Sequence, residues 1–282
     1  MSLERKRPIG VFDSGIGGLS VLAALRAELP HEDFVYFADT GHAPYGERDE
    51  DHVVGRTRAV AAELIGRERI KALVVACNTA TAAAIHLLRA DLPGFPLVGV
   101  EPALKPAVAA SRTGRIAVLA TRGTVTSRKF ALLREAFATR ADFSVVACDG
   151  LARAIEAGES GPIAELCARY VAQAGRFGTA PGEIDTLVLG CTHYPFVADE
   201  LRRHTGDAVR FIETGLPVAL QTRRLLAAAG TLAPPAGGDD PDDIGAGGVD
   251  VAERAGTVRL MGTGDPLLLR AAAARWLDGP NG

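Results

Sequence analysis

The sequence predicts an α/β protein built from two pseudo-symmetric domains, each a mainly parallel sheet flanked by helices. Three observations lead to this prediction. Short apolar segments alternate along the chain with longer amphipathic ones, which is the pattern of strands joined by crossover helices. Most of the short segments are apolar throughout, as expected of strands covered on both faces. A weak internal repeat indicates that the chain contains two similar units.

Nine short apolar segments are predicted as strands. They lie at residues 9–12, 34–38, 72–76, 97–100, 115–120, 143–147, 186–190, 209–212 and 257–261. The amphipathic segments between them are predicted as helices, among them residues 19–29, 52–67, 79–92, 125–138, 217–229 and 267–277. Residues 231–256 interrupt this pattern because they are rich in proline, glycine and aspartate. That composition predicts a surface insertion without packed structure.

The internal repeat places similar residues after equivalent strands. IGVFDSGIGG near the start of the chain resembles IAVLATRGTV at 116–125, and LVVACNTA resembles LVLGCTHYP at 187–195. Each member is a strand followed by a turn of small or polar residues that leads into a helix. In the second pair both strands end at a cysteine, Cys77 in one unit and Cys191 in the other.

The two repeated cysteines are predicted at the starts of helices, where backbone N–H groups and the helix dipole favour an anion. We expect this position to lower the pKa of each thiol and to offer donors for a substrate carboxylate. A single cysteine after a buried strand is more often a small core residue. The equivalent placement of Cys77 and Cys191 favours a catalytic interpretation, whereas Cys148 and Cys167 lack that context and are assigned to packing.

A pair of identical groups suits the movement of a proton from one face of a carbon to the other. Such a reaction needs a base on one face and an acid on the opposite face, and the two roles exchange in the reverse direction. A hydrolase would instead combine one cysteine with a histidine base and an orienting carboxylate or carboxamide. The pattern therefore predicts Cys77 and Cys191 as facing acid and base.

Polar residues also follow the first two strands. Asp13 and Ser14 precede a glycine-rich turn, which lacks the lysine of a phosphate-binding loop and the complete dinucleotide fingerprint. Residues 44–46, Pro-Tyr-Gly, lie in a loop for which an ordinary turn is the alternative interpretation. Thr121 follows the strand at 115–120 and is equally suited to a helix N-cap.

Composition limits the classes of partner. The net charge is −3, so no overall positive field attracts nucleic acid or anionic lipid. No apolar stretch approaches the length of a membrane span, and the first residues do not have the pattern of a signal peptide. The four cysteines form no C-x-x-C pair that would indicate a zinc site or a disulfide framework. We expect a cytoplasmic protein with reduced thiols.

The motifs taken together resemble those of the aspartate/glutamate racemase family. The similar segments run from the first strand to the last helix: VFDSGIGGLSVL, FADTGHAPYG, VVACNTATA, VGVEPALKPA, TVTSRKF, LVLGCTHYPF and GTGDPLLLRAAAARWL. The resemblance implies two α/β domains with the active site in the cleft between them. It implies residues 1–98 plus 209–282 as a discontinuous first domain, with the insertion at 231–256, and residues 99–208 as the second. It also implies a homodimer.

The same resemblance implies an activity and a set of site residues. The activity is a cofactor-independent interconversion of L- and D-glutamate that supplies D-glutamate for peptidoglycan synthesis. Cys77 matches the thiol that acts on the D-enantiomer, and Cys191 the thiol that acts on the L-enantiomer. Positions thought to assist the respective thiols are matched by Asp13 and His193, and Glu156, a further catalytic candidate, matches another conserved acid of the family. Substrate-contacting positions are matched by Asp13, Ser14, Tyr45, Gly46, Asn78, Thr79, Thr192 and His193.

The chain departs from the family pattern in two places. Residues 148–153 read CDGLAR where the family has Cys-Pro and apolar residues, and residues 213–215 read ETG in place of Asp-Ser-Gly. We expect no pyridoxal phosphate, because no lysine falls at a strand end beside the cysteines. A racemase for aspartate or another amino acid is the nearest alternative. A two-domain amino-acid-binding protein is the alternative from another class.

Overall fold

The computed structural model describes residues 3–234 and 255–277. Within these ranges nine strands form two sheets, and every pairing between neighbouring strands is parallel. In chain order the strands are β1 (Ile9–Asp13), β2 (Phe34–Ala38), β3 (Ala72–Val75), β4 (Leu97–Gly99), β5 (Arg115–Ala120), β6 (Asp142–Ala147), β7 (Thr186–Gly190), β8 (Arg210–Ile212) and β9 (Val258–Gly262). All nine predicted strands are confirmed to within one residue at each end.

Helices connect the strands and cover both faces of each sheet. In the described part of the chain they are α1 (Leu19–Glu28), α2 (Glu50–Gly66), α3 (Asn78–Asp91), α4 (Leu104–Ala110), α5 (Arg122–Val125), α6 (Arg128–Glu135), α7 (Leu151–Ala157), α8 (Ser160–Ala174), α9 (Ala198–Thr205), α10 (Gly215–Ala228) and α11 (Pro266–Leu277). The prediction of one continuous helix over 125–138 is wrong. Ser127 interrupts it, because its Oγ accepts a hydrogen bond from Phe130 N at 3.1 Å and caps the start of α6.

The two sheets share one strand order, which confirms the internal repeat at the level of topology. The first sheet runs β4-β3-β1-β2-β9 and the second runs β6-β5-β7-β8. Numbered along the chain within each unit, the four strands lie side by side in the order second, first, third, fourth: β2-β1-β3-β4 in the first sheet and β6-β5-β7-β8 in the second. The strand β9 extends the first sheet beyond β2. In both units the order reverses beside the first strand, and ligands bind at the carboxyl ends of strands at such a point.

The expected domain boundary needs one correction. The family resemblance implies that residues from 209 onward lie in the first domain, but β8 pairs with β7 and therefore belongs to the second sheet. The register joins Thr186 to Arg210 and Val188 to Ile212. The chain returns to the first sheet after β8, because α10 packs on α1.

Each sheet lies between two layers of apolar side chains. On the first sheet, α1, α10 and α11 pack against one face, and α2 and α3 pack against the other. On the second sheet, α7, α8 and α9 cover one face, and α4 and α6 cover the other. Phe196 contacts the cores of both sheets and stacks on Trp276 of α11, with ring centroids 4.1 Å apart. This aromatic pair joins the two units beside the loop that follows β7.

Most of the expected insertion, residues 235–254, lies outside the described residues. The chain on its two sides meets at one turn between α1 and β2. Ala233 N donates to Glu32 Oε1 at 2.8 Å, and Gly256 N donates to Pro30 O at 2.7 Å. Glu32 also forms a buried ion pair with Lys71 at 2.5 Å. Across residues 3–234 and 255–277, no helix combines the length and apolar character needed to cross a membrane.

Candidate active site

A cavity of about 230 Å³ lies where the carboxyl ends of the strands of both sheets face each other. The loops after β1, β2, β3, β5 and β7 contribute to its wall, together with the exposed face of α7. The lining residues are Ser14, Thr40, Ala43, Pro44, Tyr45, Gly46, Cys77, Asn78, Thr79, Thr121, Ala152, Arg153, Glu156, Ala157, Cys191, Thr192 and His193. Every predicted site residue except Asp13 is among them.

Cys77 lies at the N-terminus of α3, as the sequence predicted. Its Sγ accepts a hydrogen bond from Ala80 N at 3.4 Å, and the thiol donates to Ser14 Oγ at 3.6 Å. The expectation of a lowered pKa is wrong for this thiol. Burial and the nearby charge of Asp13 raise the pKa of Cys77 to about 12, because they outweigh the two hydrogen bonds. The structure therefore favours Cys77 as a protonated thiol, ready to act as an acid.

Cys191 belongs to a chain of three groups. Its Sγ lies 3.7 Å from Nδ1 of His193, and Nε2 of the same imidazole lies 2.5 Å from Oε2 of Glu156. Burial acts to lower the pKa of His193, but the contacts with Cys191 and Glu156 outweigh it and raise that pKa well above its usual range. The arrangement therefore favours a protonated imidazole beside the Cys191 sulfur.

Glu156 also connects the two units. It lies on α7 of the second sheet, and both of its carboxylate oxygens accept from Ile16 N, at 3.1 Å each, in the loop after β1. Glu156 matches the family pattern, although residues 148–153 just before it depart from that pattern. The structure brings the carboxylate to the predicted place nevertheless, because α7 begins at Leu151 and presents its second turn to the cavity.

Asp13 lies behind the cavity wall and is fully buried. Its Oδ1 accepts from Gly15 N at 2.8 Å, and its Oδ2 accepts from the hydroxyl of Thr192 at 3.0 Å. Burial raises the pKa of Asp13, an effect that the charge of His193 partly offsets. The carboxylate therefore acts on the cavity through its neighbours: it holds Thr192 in place and raises the pKa of the Cys77 thiol.

The glycine-rich turn after β1 allows the two units to approach closely. A Cβ atom on Gly17 would lie 2.3 Å from Nδ1 of His193 and 2.5 Å from Oγ1 of Thr192. A Cβ atom on Gly15 would lie 2.4 Å from a carboxylate oxygen of Glu156. These separations are well below van der Waals contact, so a side chain at either position would displace the groups that serve Cys191.

The side chains beside the two thiols suit an amino-acid carboxylate. Asn78 is 3% exposed, and its amide nitrogen and oxygen have no hydrogen-bond partner among the described residues. An unpaired buried amide at a cavity wall is costly unless a ligand satisfies it. The Thr79 hydroxyl lies 2.9 Å from that of Thr121, across the two units.

The Pro-Tyr-Gly loop is more than an ordinary turn. The Tyr45 hydroxyl donates to Asp39 Oδ2 at 2.5 Å, and Asp39 is also bound by Arg56 through two contacts of 2.9 Å. Thr263 adds a further bond to Asp39 at 2.8 Å. Asp39 therefore fixes the loop that forms one wall of the cavity. Asp39 directly follows β2, and no motif in the sequence singles it out.

Several lining residues were not predicted from the sequence, and Arg153 is the most notable of them. Arg153 precedes Glu156 by three residues on α7, so both lie on the same side of the helix. That spacing was the available indication, but no known motif accompanied it. Within the described part of the chain, no group of three or more His, Cys, Asp or Glu side chains could hold a metal ion.

The fold and the cavity agree with the class of enzyme that comparison with known proteins identifies. Residues 18–219 match the Asp/Glu/hydantoin racemase family. The chain belongs to this family, and the predicted class, an isomerase, is confirmed.

Individual relatives support the same assignment. The chain is 49% identical over 234 residues to a glutamate racemase of Ralstonia nicotianae, with 81% of each protein covered. A glutamate racemase isoform of Bacillus anthracis superposes with a TM-score of 0.80 at 28% identity, over 97% of this chain and 95% of that one. The Escherichia coli glutamate racemase, solved with L-glutamate and the activator UDP-MurNAc-ala, gives a TM-score of 0.74 at 31% identity, over 96% and 95%.

Proposed function

We propose that the chain is a glutamate racemase that moves the α-proton between two thiols and needs no cofactor. The observation that carries this proposal is that two buried cysteines from equivalent strand ends line one cavity, each with its own polar partner. Ser14 accompanies Cys77, and His193 accompanies Cys191. Its substrate is inferred from the relatives, which are glutamate racemases.

In the direction from L- to D-glutamate, the sulfur of Cys191 acts as the base. The protonated imidazole of His193 stabilises this sulfur as a thiolate, and Glu156 stabilises the imidazole. The thiolate removes the α-proton, and the electron pair remains on the α-carbon beside the carboxylate. Cys77 then delivers its proton to the opposite face. The product leaves Cys191 as a thiol and Cys77 as a thiolate, and the reverse reaction begins from that state.

Charge stabilisation is the larger part of this task, because an α-proton is very weakly acidic. We propose that Asn78, Thr79 and Thr192 bind the α-carboxylate through side chains and helix N–H groups. Ser14 and the Tyr45–Gly46 loop complete the substrate contacts. Asp13 assists from behind the wall, where its negative charge favours the ammonium group of the substrate.

Isotope labelling tests the mechanism. In D₂O the D-glutamate formed from L-glutamate should carry deuterium at the α-carbon, while recovered substrate stays largely unlabelled at first. Cys77→Ala should abolish racemisation but leave slow exchange of L-glutamate, and Cys191→Ala should leave exchange of D-glutamate only. Cys167→Ala is the control, because that buried thiol lies in the core of the second sheet and away from the cavity. Full racemase activity in either active-site variant would refute the two-thiol mechanism.

Polarimetry with pure protein separates the alternatives. Loss of optical rotation from L-glutamate without added cofactor supports the proposal. Loss of rotation from L-aspartate but not from L-glutamate would indicate the related racemase, and binding without turnover would indicate an amino-acid-binding protein.

We further propose that the protein is a cytoplasmic homodimer of two-domain subunits and that it supplies D-glutamate for peptidoglycan synthesis. The second domain would extend through β8 to Ile212.

A further inference from the structure

The cavity contains one positively charged side chain whose role the mechanism does not explain. Arg153 is the single lysine or arginine that lines the cavity within residues 3–234 and 255–277. It lies one helical turn before Glu156 on α7, so both side chains face the same space. It also falls within residues 148–153, where the sequence departs from the family pattern.

The guanidinium of Arg153 reaches across the mouth of the cavity. It forms an ion pair with Glu47, which directly follows Gly46 of the Pro-Tyr-Gly loop. The side chain of Arg153 is 64% exposed and that of Glu47 is 32% exposed. An ion pair with this much solvent access contributes little stability, so an anionic ligand can replace Glu47 at small cost.

The contacts proposed above supply no positive charge for the second carboxylate of glutamate. Asn78, Thr79 and Thr192 are placed for the α-carboxylate beside the thiols. The imidazole of His193 is engaged by Glu156 at 2.5 Å. The cation that remains is Arg153, and a guanidinium binds a carboxylate through two parallel hydrogen bonds.

We propose that Arg153 binds the distal carboxylate of the substrate and sets the preference for an acidic amino acid. Glu47 holds the guanidinium over the cavity mouth until the substrate displaces it. This inference rests on the proposed function, since it concerns the substrate of that same site. It makes Arg153 a specificity residue that takes no part in moving the proton.

The test compares the incorporation of α-deuterium during turnover of L-glutamate and L-glutamine in D₂O, followed by NMR, because the two substrates differ in the distal charge. Arg153→Ala should raise KM for glutamate about tenfold, as expected for the loss of a partly solvated charged hydrogen bond, with little change in kcat. Exchange of glutamine should not change. Arg153→Lys should recover part of the affinity. Arg169→Ala is the matched control and should leave KM for glutamate unchanged, because Arg169 is an exposed arginine of α8 that does not line the cavity. Glu47→Gln should lower KM for glutamate, because the competing carboxylate is gone.

Each outcome supports or overturns the inference. An unchanged KM for glutamate in Arg153→Ala would overturn it, as would an equal rise for glutamine. A rise in KM in Glu47→Gln as large as in Arg153→Ala would show that the ion pair serves as a structural latch. If the unaltered protein exchanges neither substrate, the proposed function itself fails, and the inference fails with it. Turnover of glutamate with no effect of Arg153 removes the inference alone.

Discussion

Replacement of Glu156 by glutamine isolates the contribution of one charge to the protonated imidazole that stabilises the Cys191 thiolate. Glutamine keeps the shape of the side chain but cannot hold the protonated imidazole of His193 by charge. The contact replaced is a 2.5 Å hydrogen bond between groups that are 22% and 7% exposed. A hydrogen bond to a charged group contributes about 1.5–3 kcal/mol, which corresponds to about a ten- to hundredfold change in rate. We expect kcat/KM to fall within that range.

The direction of the pH effect provides a second readout. The contacts that raise the pKa of His193 are weakened in Glu156→Gln, so the imidazole loses its proton at a lower pH. The alkaline limb of the kcat/KM profile should therefore move to lower pH, and alkylation of Cys191 by iodoacetamide at neutral pH should slow. Glu159→Gln, which alters an exposed carboxylate three residues away, is the control. An unchanged pH profile and an unchanged alkylation rate in Glu156→Gln would refute the reasoning.

Two further substitutions test the supporting structure. Gly17→Ala should reduce kcat/KM about a hundredfold, because the new methyl group would lie 2.3 Å from Nδ1 of His193 and would displace the imidazole. Circular dichroism should show an unchanged fold. Asp39→Asn should lower the free energy of unfolding by about 3 kcal/mol at pH 7, since it leaves Arg56 without its buried partner. Burial by itself would raise the pKa of Asp39, but hydrogen bonds from Arg56 and Tyr45 outweigh it and hold that pKa below its usual value of 3.8. Urea titrations should therefore show that the difference from the unaltered protein is complete above that value and narrows as the pH falls through the folded-state pKa.

Matched controls separate these effects from general damage. Gly55→Ala places a methyl group in open space within α2 and should be neutral or stabilise the helix by about 0.5–1 kcal/mol. Asp207→Asn removes an exposed carboxylate and should leave the urea transition unchanged. A Gly17→Ala enzyme with full activity would contradict the close approach of the turn. An Asp39→Asn protein as stable as Asp207→Asn at pH 7 would contradict the role of the Asp39 network.

Several parts of the site were predictable because the information is local. Continuous apolar segments indicated the strands, and the residues that end a strand must lie at the carboxyl edge of the sheet. The repeat then placed Cys77 and Cys191 at equivalent edges. Resemblance to the family added Glu156, which pattern alone would have left as one more surface carboxylate on α7.

Other parts depend on contacts between distant segments, which no local pattern contains. Arg153 and Glu47 are 106 residues apart, and Thr263 reaches Asp39 across 224 residues. The boundary at β8 was mispredicted for the same reason, because the pairing of β8 with β7 is a contact between separate segments of the chain. The raised pKa of Cys77 also escaped prediction. A helix start favours a thiolate, but the degree of burial decides the balance and is known only from the packed structure.

The sequence by itself determined the alternation of strands and helices, the repeat of two units and the pair of thiols at matching strand ends. These features follow from the hydrophobic periodicity of residues close together in the chain and from the general geometry of parallel sheets. The tertiary structure decided which thiol is held protonated and which is paired with an imidazole, because packing sets burial and brings Asp13 and Glu156 to the site. It also placed Arg153 at the mouth of the cavity, through the meeting of two segments far apart in the chain.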